Sequence, residues 1–487
     1  MKRVTIFLLA GLFLTLPLQA RTWKQAATGK EIVADLVKVE DGKVHLKLAD
    51  GRVGVVEIIS LSLEDQEFIS QQSATTSSAG SAGGVNWPQF RGPHRDGVSP
   101  DENLLKEWPS DGPEKLWVYE GAGLGYSGMA AVDGKLYTMG TQGDDVTVVC
   151  VDIATGSEVW KSGFAKDDQQ GYNTGWGHGP RSTPTVADGK VYALGPKGVL
   201  ACLSAEDGKK VWSKDLVGDF GGKAGGWGFS ESPFVEGDKV VIGPGGSDSP
   251  VVALNKDTGA KIWTASGFEV GGGKAEYATT VPVDLNEQRQ YLRLFNNQLV
   301  SLDSESGELL WTTSWPGDKS PAVIPTPIAD GNEVYISSGY GVGSKLVEVS
   351  SSNKAEDVWE NKTMKNKHGG IIKYGDHLYG SSEGGGLICQ DWKSGEMVWN
   401  EKGQFFGSTD SVAIADGMIY CLNDASGTLT LAEASPDGFK QAGQFKMDPQ
   451  SSQRNPKGKV WTYPLVIGGK LFLKDQEIVI CYDVSAK

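Results

Sequence analysis

The sequence predicts an all-β protein, an eight-bladed β-propeller preceded by a small β-barrel. Three observations carry this expectation. An eleven-residue phrase ending in tryptophan recurs over 150–160 (CVDIATGSEVW), 202–212, 253–263, 301–311 and 389–399, with a worn copy over 349–359 (VSSSNKAEDVW). Glycine supplies 66 of the 487 residues, roughly twice the ~7% of ordinary proteins, and there are 15 tryptophans, which suits many short strands joined by tight turns. Finally, Trp117 stands alone in EKLWVYE, while the C-terminus stops at CYDVSAK, the first half of the phrase without its second. Ends that complete each other imply a closed ring, which leaves no exposed sheet edge.

In chain order, residues 1–20 combine Lys2 and Arg3 with an apolar run over 4–18 and Ala20 at a cleavable position. This is the pattern of a secretory signal, and the run is shorter than the ~20 residues a bilayer span needs. Residues 21–70 differ in character from the rest. Val44, Leu46 and Leu48 alternate with polar residues between Asp41-Gly42 and Asp50-Gly51, the pattern of a half-buried hairpin strand. Ser62 and Asp65 are placed to start a short helix in SLEDQEFISQ. The stretch RTWKQAATGKEIVADLVKVEDGKVHLKLADGRVGVVEIISLSLEDQEFI resembles the SLA-type homology domain, a small β-barrel. Residues 71–86, with SATTSSAGSAGG at their centre, read as a flexible linker.

Residues 87–487 carry the repeats, with their tryptophans 40 to 52 residues apart. Each repeat holds an apolar strand, an Asp-Gly or Gly-Asp turn, a second strand, a glycine turn and then the phrase. Four strands per repeat of this length is the signature of a propeller blade. Second strands such as KLYTM, KVYAL, KVVIG, QYLRL, EVYIS, HLYGS, MIYCL and KLFLK number eight, the last blade taking its outer strand from around Trp117. In the phrase, Asp or Asn at position three and Gly at position seven make the outer hairpin turn. The terminal indoles (Trp117, Trp160, Trp212, Trp263, Trp311, Trp359, Trp399) are expected to dock on the neighbouring blade. Cys150, Cys202, Cys389 and Cys481 occupy the first position of the phrase on different repeats, so they are read as buried free thiols rather than disulfide partners.

The pattern small-x-Asp-x-x-Thr-Gly-x-x-x-Trp resembles the tryptophan-docking motif of the pyrroloquinoline quinone (PQQ) repeat family, which includes quinoprotein dehydrogenases and BamB-like scaffolds. NWPQFRGPHRDGVSP, GWGHGPRSTPTV and GGWGFSESPFVEGDKVV resemble its exported PQQ-like members. The resemblance implies the propeller fold. The quinoprotein dehydrogenases it covers would show adjacent cysteines beside the quinone; no Cys-Cys pair occurs here, nor a haem-attachment Cys-x-x-Cys-His. PQQ therefore stays a possible cofactor whose hallmarks are not found, and no catalytic residue is assigned.

Propeller sites gather where loops enter the innermost strands. Stepping back seven places from the turn after each of those strands selects Tyr126, Arg181, Ser230, Val323, His368, Thr409 and Trp461, with Tyr277 from the less regular fourth repeat and Glu231 and Asp410 adjacent. The expected channel-mouth ligand site is thus Tyr126, Arg181, Glu231, Tyr277, His368, Asp410 and Trp461. Arg181 would clamp a carboxylate or phosphate, or alternatively pair with Glu231; Tyr277 and Trp461 would stack on a flat ligand. Trp176 and Trp227, in glycine-rich loops, are expected to pack over the mouth.

A formal charge of -15 excludes a broad nucleic-acid surface. Histidines at 45, 94, 178, 368 and 377 form no metal-spaced pair, so no metal site is expected. The glycine runs lack a phosphate loop's lysine and helix, and no Gly-x-Ser-x-Gly elbow occurs. The expected function is a monomeric, exported propeller, periplasmic or secreted and without a membrane span after signal cleavage. It would act as a scaffold for an envelope protein or small-molecule ligand. A PQQ-dependent alcohol dehydrogenase is the alternative.

Overall fold

The structure is a computed structural model that describes residues 21–24, 30–40, 43–48, 52–57, 61–62, 65, 86–317, 320–403 and 406–486. The expected signal (1–20), the linker sequence 73–84, the turns at 41–42 and 50–51 and the helix beyond Asp65 lie outside the described residues. The chain divides into two compact units, 1–83 and 84–487.

In the first unit, strands Arg21–Lys24, Glu31–Glu40, Lys43–Leu48 and Val53–Glu57 form an antiparallel meander. The alternation expected in the third strand is seen, with Val44 and Leu46 buried against Trp23 and Ala34. Asp65, 2% exposed, ties the first strand down by accepting from the Lys24 N–H at 2.7 Å, Arg21 Nε at 3.1 Å and Ser62 Oγ at 2.8 Å.

In the second unit the described residues form eight sheets, numbered by span: 1 (130–166), 2 (185–215), 3 (234–264), 4 (281–314), 5 (328–361), 6 (371–401), 7 (411–446) and 8 (465–483). The strands within each of these spans are antiparallel and adjacent in chain order, and each of the eight anticipated second strands is a strand. Asp133-Gly134, Asp188-Gly189 and Asp416-Gly417 hold positive φ at both residues, the mirror-image turn whose twist matches a two-residue hairpin. Sheet 8 has three strands of its own and takes its fourth, Glu114–Tyr119, from the other end of the unit, with Trp117 opposite Cys481.

That cross-strand pairing recurs. Cys150 faces Trp160, Cys202 faces Trp212, Ala253 faces Trp263, Ser301 faces Trp311 and Cys389 faces Trp399. A small residue faces the indole in these five sheets, whereas in sheet 5 Leu346 faces Trp359. All five cysteines are buried and free.

Each indole then reaches the next sheet. Trp117 donates to the Ile153 carbonyl (2.9 Å), Trp160 to Ala205 (3.0 Å), Trp212 to Lys256 (2.9 Å), Trp263 to Ser304 (3.2 Å), Trp359 to Trp392 (3.0 Å) and Trp399 to Ser435 (2.9 Å). The position-seven glycine of the receiving phrase lies under the ring: a Cβ on Gly208 would sit 2.6 Å from Trp160, and one on Gly307 2.5 Å from Trp263. Glycine is thus required twice, for positive φ and for contact with the neighbouring indole. Trp311 is the exception and donates to Gln290 Oε1 of its own sheet (2.9 Å). The phrase it would have met is the worn copy over 349–359, with Ala355 where the glycine stands elsewhere.

The segment after Trp87 crosses the inner strands. Trp87 pairs with Ala131 of sheet 1, and the Pro88 carbonyl accepts from Val186 of sheet 2. Arg95 donates to the carbonyls of Pro233 (2.9 Å) and Thr280 (3.0 Å) beside sheets 3 and 4, and Arg91 to that of Ile371 in sheet 6. Val98–Ser99 adds a parallel strand to sheet 7. Two buried guanidiniums (Arg91 6%, Arg95 5% exposed) thus have carbonyl partners from separate sheets, which fits the need to satisfy a charge removed from water.

Candidate functional site

Residues leading into the first strand of all eight sheets line one cavity of about 570 Å³. Tyr126, Arg181, Ser230 and Tyr277 come from sheets 1 to 4; Ala322 and Ile324, His368, Thr409 and Trp461 come from sheets 5 to 8. Seven of the residues selected by stepping back from the turns therefore share a wall. The fifth-sheet residue, Val323, does not; its neighbours on either side line the cavity instead.

Glu231 and Asp410 are not in that wall. Glu231, 2% exposed, turns into the sheet, where its carboxylate takes a bidentate pair from Arg293 (Nη2 to Oε2 2.6 Å) and accepts from the Gly243 N–H at 2.8 Å. Its partner is thus Arg293 and not Arg181. Asp410, fully buried, caps a turn, accepting from the backbone N–H groups of Gly407 (2.6 Å) and Asp424 (3.2 Å). Burial pushes its carboxyl up to about 6. Both stand one residue after the selected position, and each carboxylate is taken up by partners outside the wall.

The walls are aromatic. Trp461 meets Tyr126 at 5.1 Å, Trp176 at 5.8 Å and the His368 ring at 4.5 Å between centroids; Trp227 stands edge-on to Tyr277 at 6.1 Å. Tyr126 donates to the Trp176 carbonyl and Tyr277 accepts from the Trp227 N–H at 3.1 Å, so the two glycine-rich loops that carry these tryptophans are fastened to the wall. Phe90 lines the cavity and packs edge-on to Tyr463 at 5.6 Å. Burial pushes His368 down to about 4; it is neutral at pH 7, and its Nδ1 makes no hydrogen bond.

Among the described residues, three cations line the cavity. Lys367 pairs with Glu383 at 3.2 Å and lies over the Tyr340 ring at 4.6 Å. Lys459 pairs with Asp424 at 3.0 Å, and the same carboxylate accepts from Thr409 and from the Trp461 indole at 3.1 Å. Arg181 sits over Tyr126 and Tyr172 at 5.5 and 5.7 Å and donates only to the Gly177 (2.9 Å) and Gly179 (3.2 Å) carbonyls. Sequence reasoning missed Phe90 and both lysines. Lys367 stands beside His368 and Lys459 two places before Trp461, so the same step-back with its neighbours would have found them; nothing local marks Phe90.

The PQQ implied by this fold does not fit these residues. It is a tricarboxylate, whereas two of the three cations here are already neutralised, and none of the five cysteines lines the cavity.

The repeat region matches the family model described as "Outer membrane protein assembly factor BamB" over residues 144–401, and residues 16–77 match that of "SLA1 homology domain 1". BamB of Shewanella oneidensis is 24% identical over 292 residues, covering 56% of this chain and 56% of that protein. Quinoprotein ethanol dehydrogenase of Pseudomonas aeruginosa is 23% identical, covering 58% and 48% respectively. The chain spans about half the length of these curated relatives. The solved quinohemoprotein alcohol dehydrogenase of Comamonas testosteroni superposes with a TM-score of 0.59 at 13% identity, covering 85% of this chain and 82% of that one, a likeness of fold alone. With more than half of its residues inside the first of those family models, and with indole-to-carbonyl contacts repeated from sheet to sheet, the chain belongs to the β-propeller family described as outer membrane protein assembly factor BamB.

Proposed function

We propose that this chain is an exported, eight-bladed scaffold of the cell envelope that presents its cavity and the surrounding loops to a protein or small-molecule ligand. The basic and apolar start of the sequence supports export and a periplasmic or secreted location. The strand lent to sheet 8 by the other end of the unit supports closure after eight blades, with the indoles as docking wedges, and the N-terminal meander is read as a small barrel serving as a second docking element. The observation that carries the scaffold reading is membership of the BamB family combined with a cavity whose charges do not suit a quinone tricarboxylate. The relative named as an ethanol dehydrogenase keeps oxidation as the competing reading, and one experiment separates them. Full-length protein purified from envelopes should bring down a stable envelope partner, and should show neither a shifted quinone absorption nor dye-linked alcohol oxidation when PQQ and calcium are added. Turnover under those conditions would overturn the scaffold reading.

A further inference from the structure

Resting on the reading of the cavity as a ligand site, we infer that its ligand is a small aromatic monocarboxylate, held by Arg181 and stacked among the wall tryptophans. Charge decides the number of carboxylates. No carboxylate lines the cavity among the described residues, and Lys367 and Lys459 are paired with Glu383 and Asp424. Arg181 has only backbone carbonyls as hydrogen-bond partners. A guanidinium offers five N–H donors, so most of the fork remains open for one anion, and a planar carboxylate matches it in two parallel bonds. A second or third carboxylate would have to compete with an existing ion pair.

Shape and polarity decide the rest. Trp176, Trp461 and Tyr126 form one aromatic side of the cavity and Trp227 with Tyr277 another. Such faces favour a flat π-system between them. The uncharged polar groups of the wall are serine, threonine and tyrosine hydroxyls, indole N–H groups and the His368 ring, none of which supplies the positive charge a second carboxylate would need.

The test is calorimetry on the full-length protein with indole-3-acetate, its neutral isostere indole-3-acetamide, and PQQ. The acetate should bind at least about tenfold more tightly than the amide, the worth of one charge-assisted hydrogen-bonded contact, and more tightly than PQQ. In Arg181→Met the acetate should lose its preference over the amide, with an unchanged near-ultraviolet circular dichroism spectrum showing that the aromatic cavity is intact. Arg181→Lys should restore part of the preference. Equal binding of acetate and amide to the unaltered protein, or tighter binding of PQQ, would overturn the monocarboxylate assignment and leave the cavity a ligand site. Binding of none of the three would overturn both.

Discussion

Replacing Glu231 by glutamine tests whether this carboxylate holds the fold rather than a ligand. The side chain is 2% exposed and its partner Arg293 is 1% exposed. Arg293 donates otherwise only to Thr280 Oγ1, at 3.2 Å, and its Nε has no partner. Glu231→Gln keeps the shape but strips the negative charge, leaving a guanidinium in a site with almost no water to replace it. Removing one partner of a buried pair costs about 3–5 kcal/mol, a large share of the roughly 5–15 kcal/mol by which a domain is stable. Equilibrium urea unfolding monitored by circular dichroism should show a loss of that size. The double variant Glu231→Leu with Arg293→Met removes the desolvation penalty along with the attraction, so it should recover most of the loss. A single variant costing under about 1 kcal/mol, or a double variant worse than the single, would refute the reasoning.

Glu276 is 1% exposed with both carboxyl oxygens unpartnered, and burial pushes it up to about 7 against the pull of Lys274. The raised value means that the folded state holds the proton longer. The stabilisation is therefore complete below the unfolded value near 4.5 and is lost as pH rises to 7, by about 3 kcal/mol in all. Glu276→Gln should flatten that part of the stability profile; an unchanged slope in the variant would dismiss the assignment. Gly307→Ala should cost at least about 2 kcal/mol more than Gly331→Ala. Both have positive φ, but a Cβ at 307 meets Trp263 at 2.5 Å while one at 331 meets nothing within 4 Å; equal losses in unfolding experiments would mean the indole contact is unimportant. The native protein should resist thiol labelling and yield five reactive thiols in urea, since all five cysteines are buried and free and burial raises their thiols. Fewer thiols under non-reducing conditions would reveal a disulfide.

The sequence alone established the repeating architecture, because the features that build it are local and periodic. A small residue, a turn former, a glycine and an indole at fixed spacing encode one hairpin and its reach to the next sheet, and even the worn copy over 349–359 marks where the series of contacts breaks, at Trp311. Trp117 and Cys481 announced their pairing by each carrying half of a phrase. Much of the cavity wall was legible for the same reason, since equivalent positions of repeated units converge on one axis.

What the tertiary structure decided were the directions and partners of single side chains. Glu231 and Asp410 share the chain neighbourhood of the wall, but their carboxylates are taken up by partners outside it, and no periodic signal announces an arginine such as Arg293, 62 residues away. The crossing of the inner strands by Trp87 and its successors was equally hidden. Arg91 and Arg95 are bound there by carbonyls of distant sheets, and a backbone carbonyl carries no mark in the sequence of residues. The charge state of the cavity comes from pairings of the same kind: Lys367 and Lys459 lose their freedom to Glu383 and Asp424, and only their coming together in space leaves Arg181, among the described residues, as the cation facing the cavity without a carboxylate.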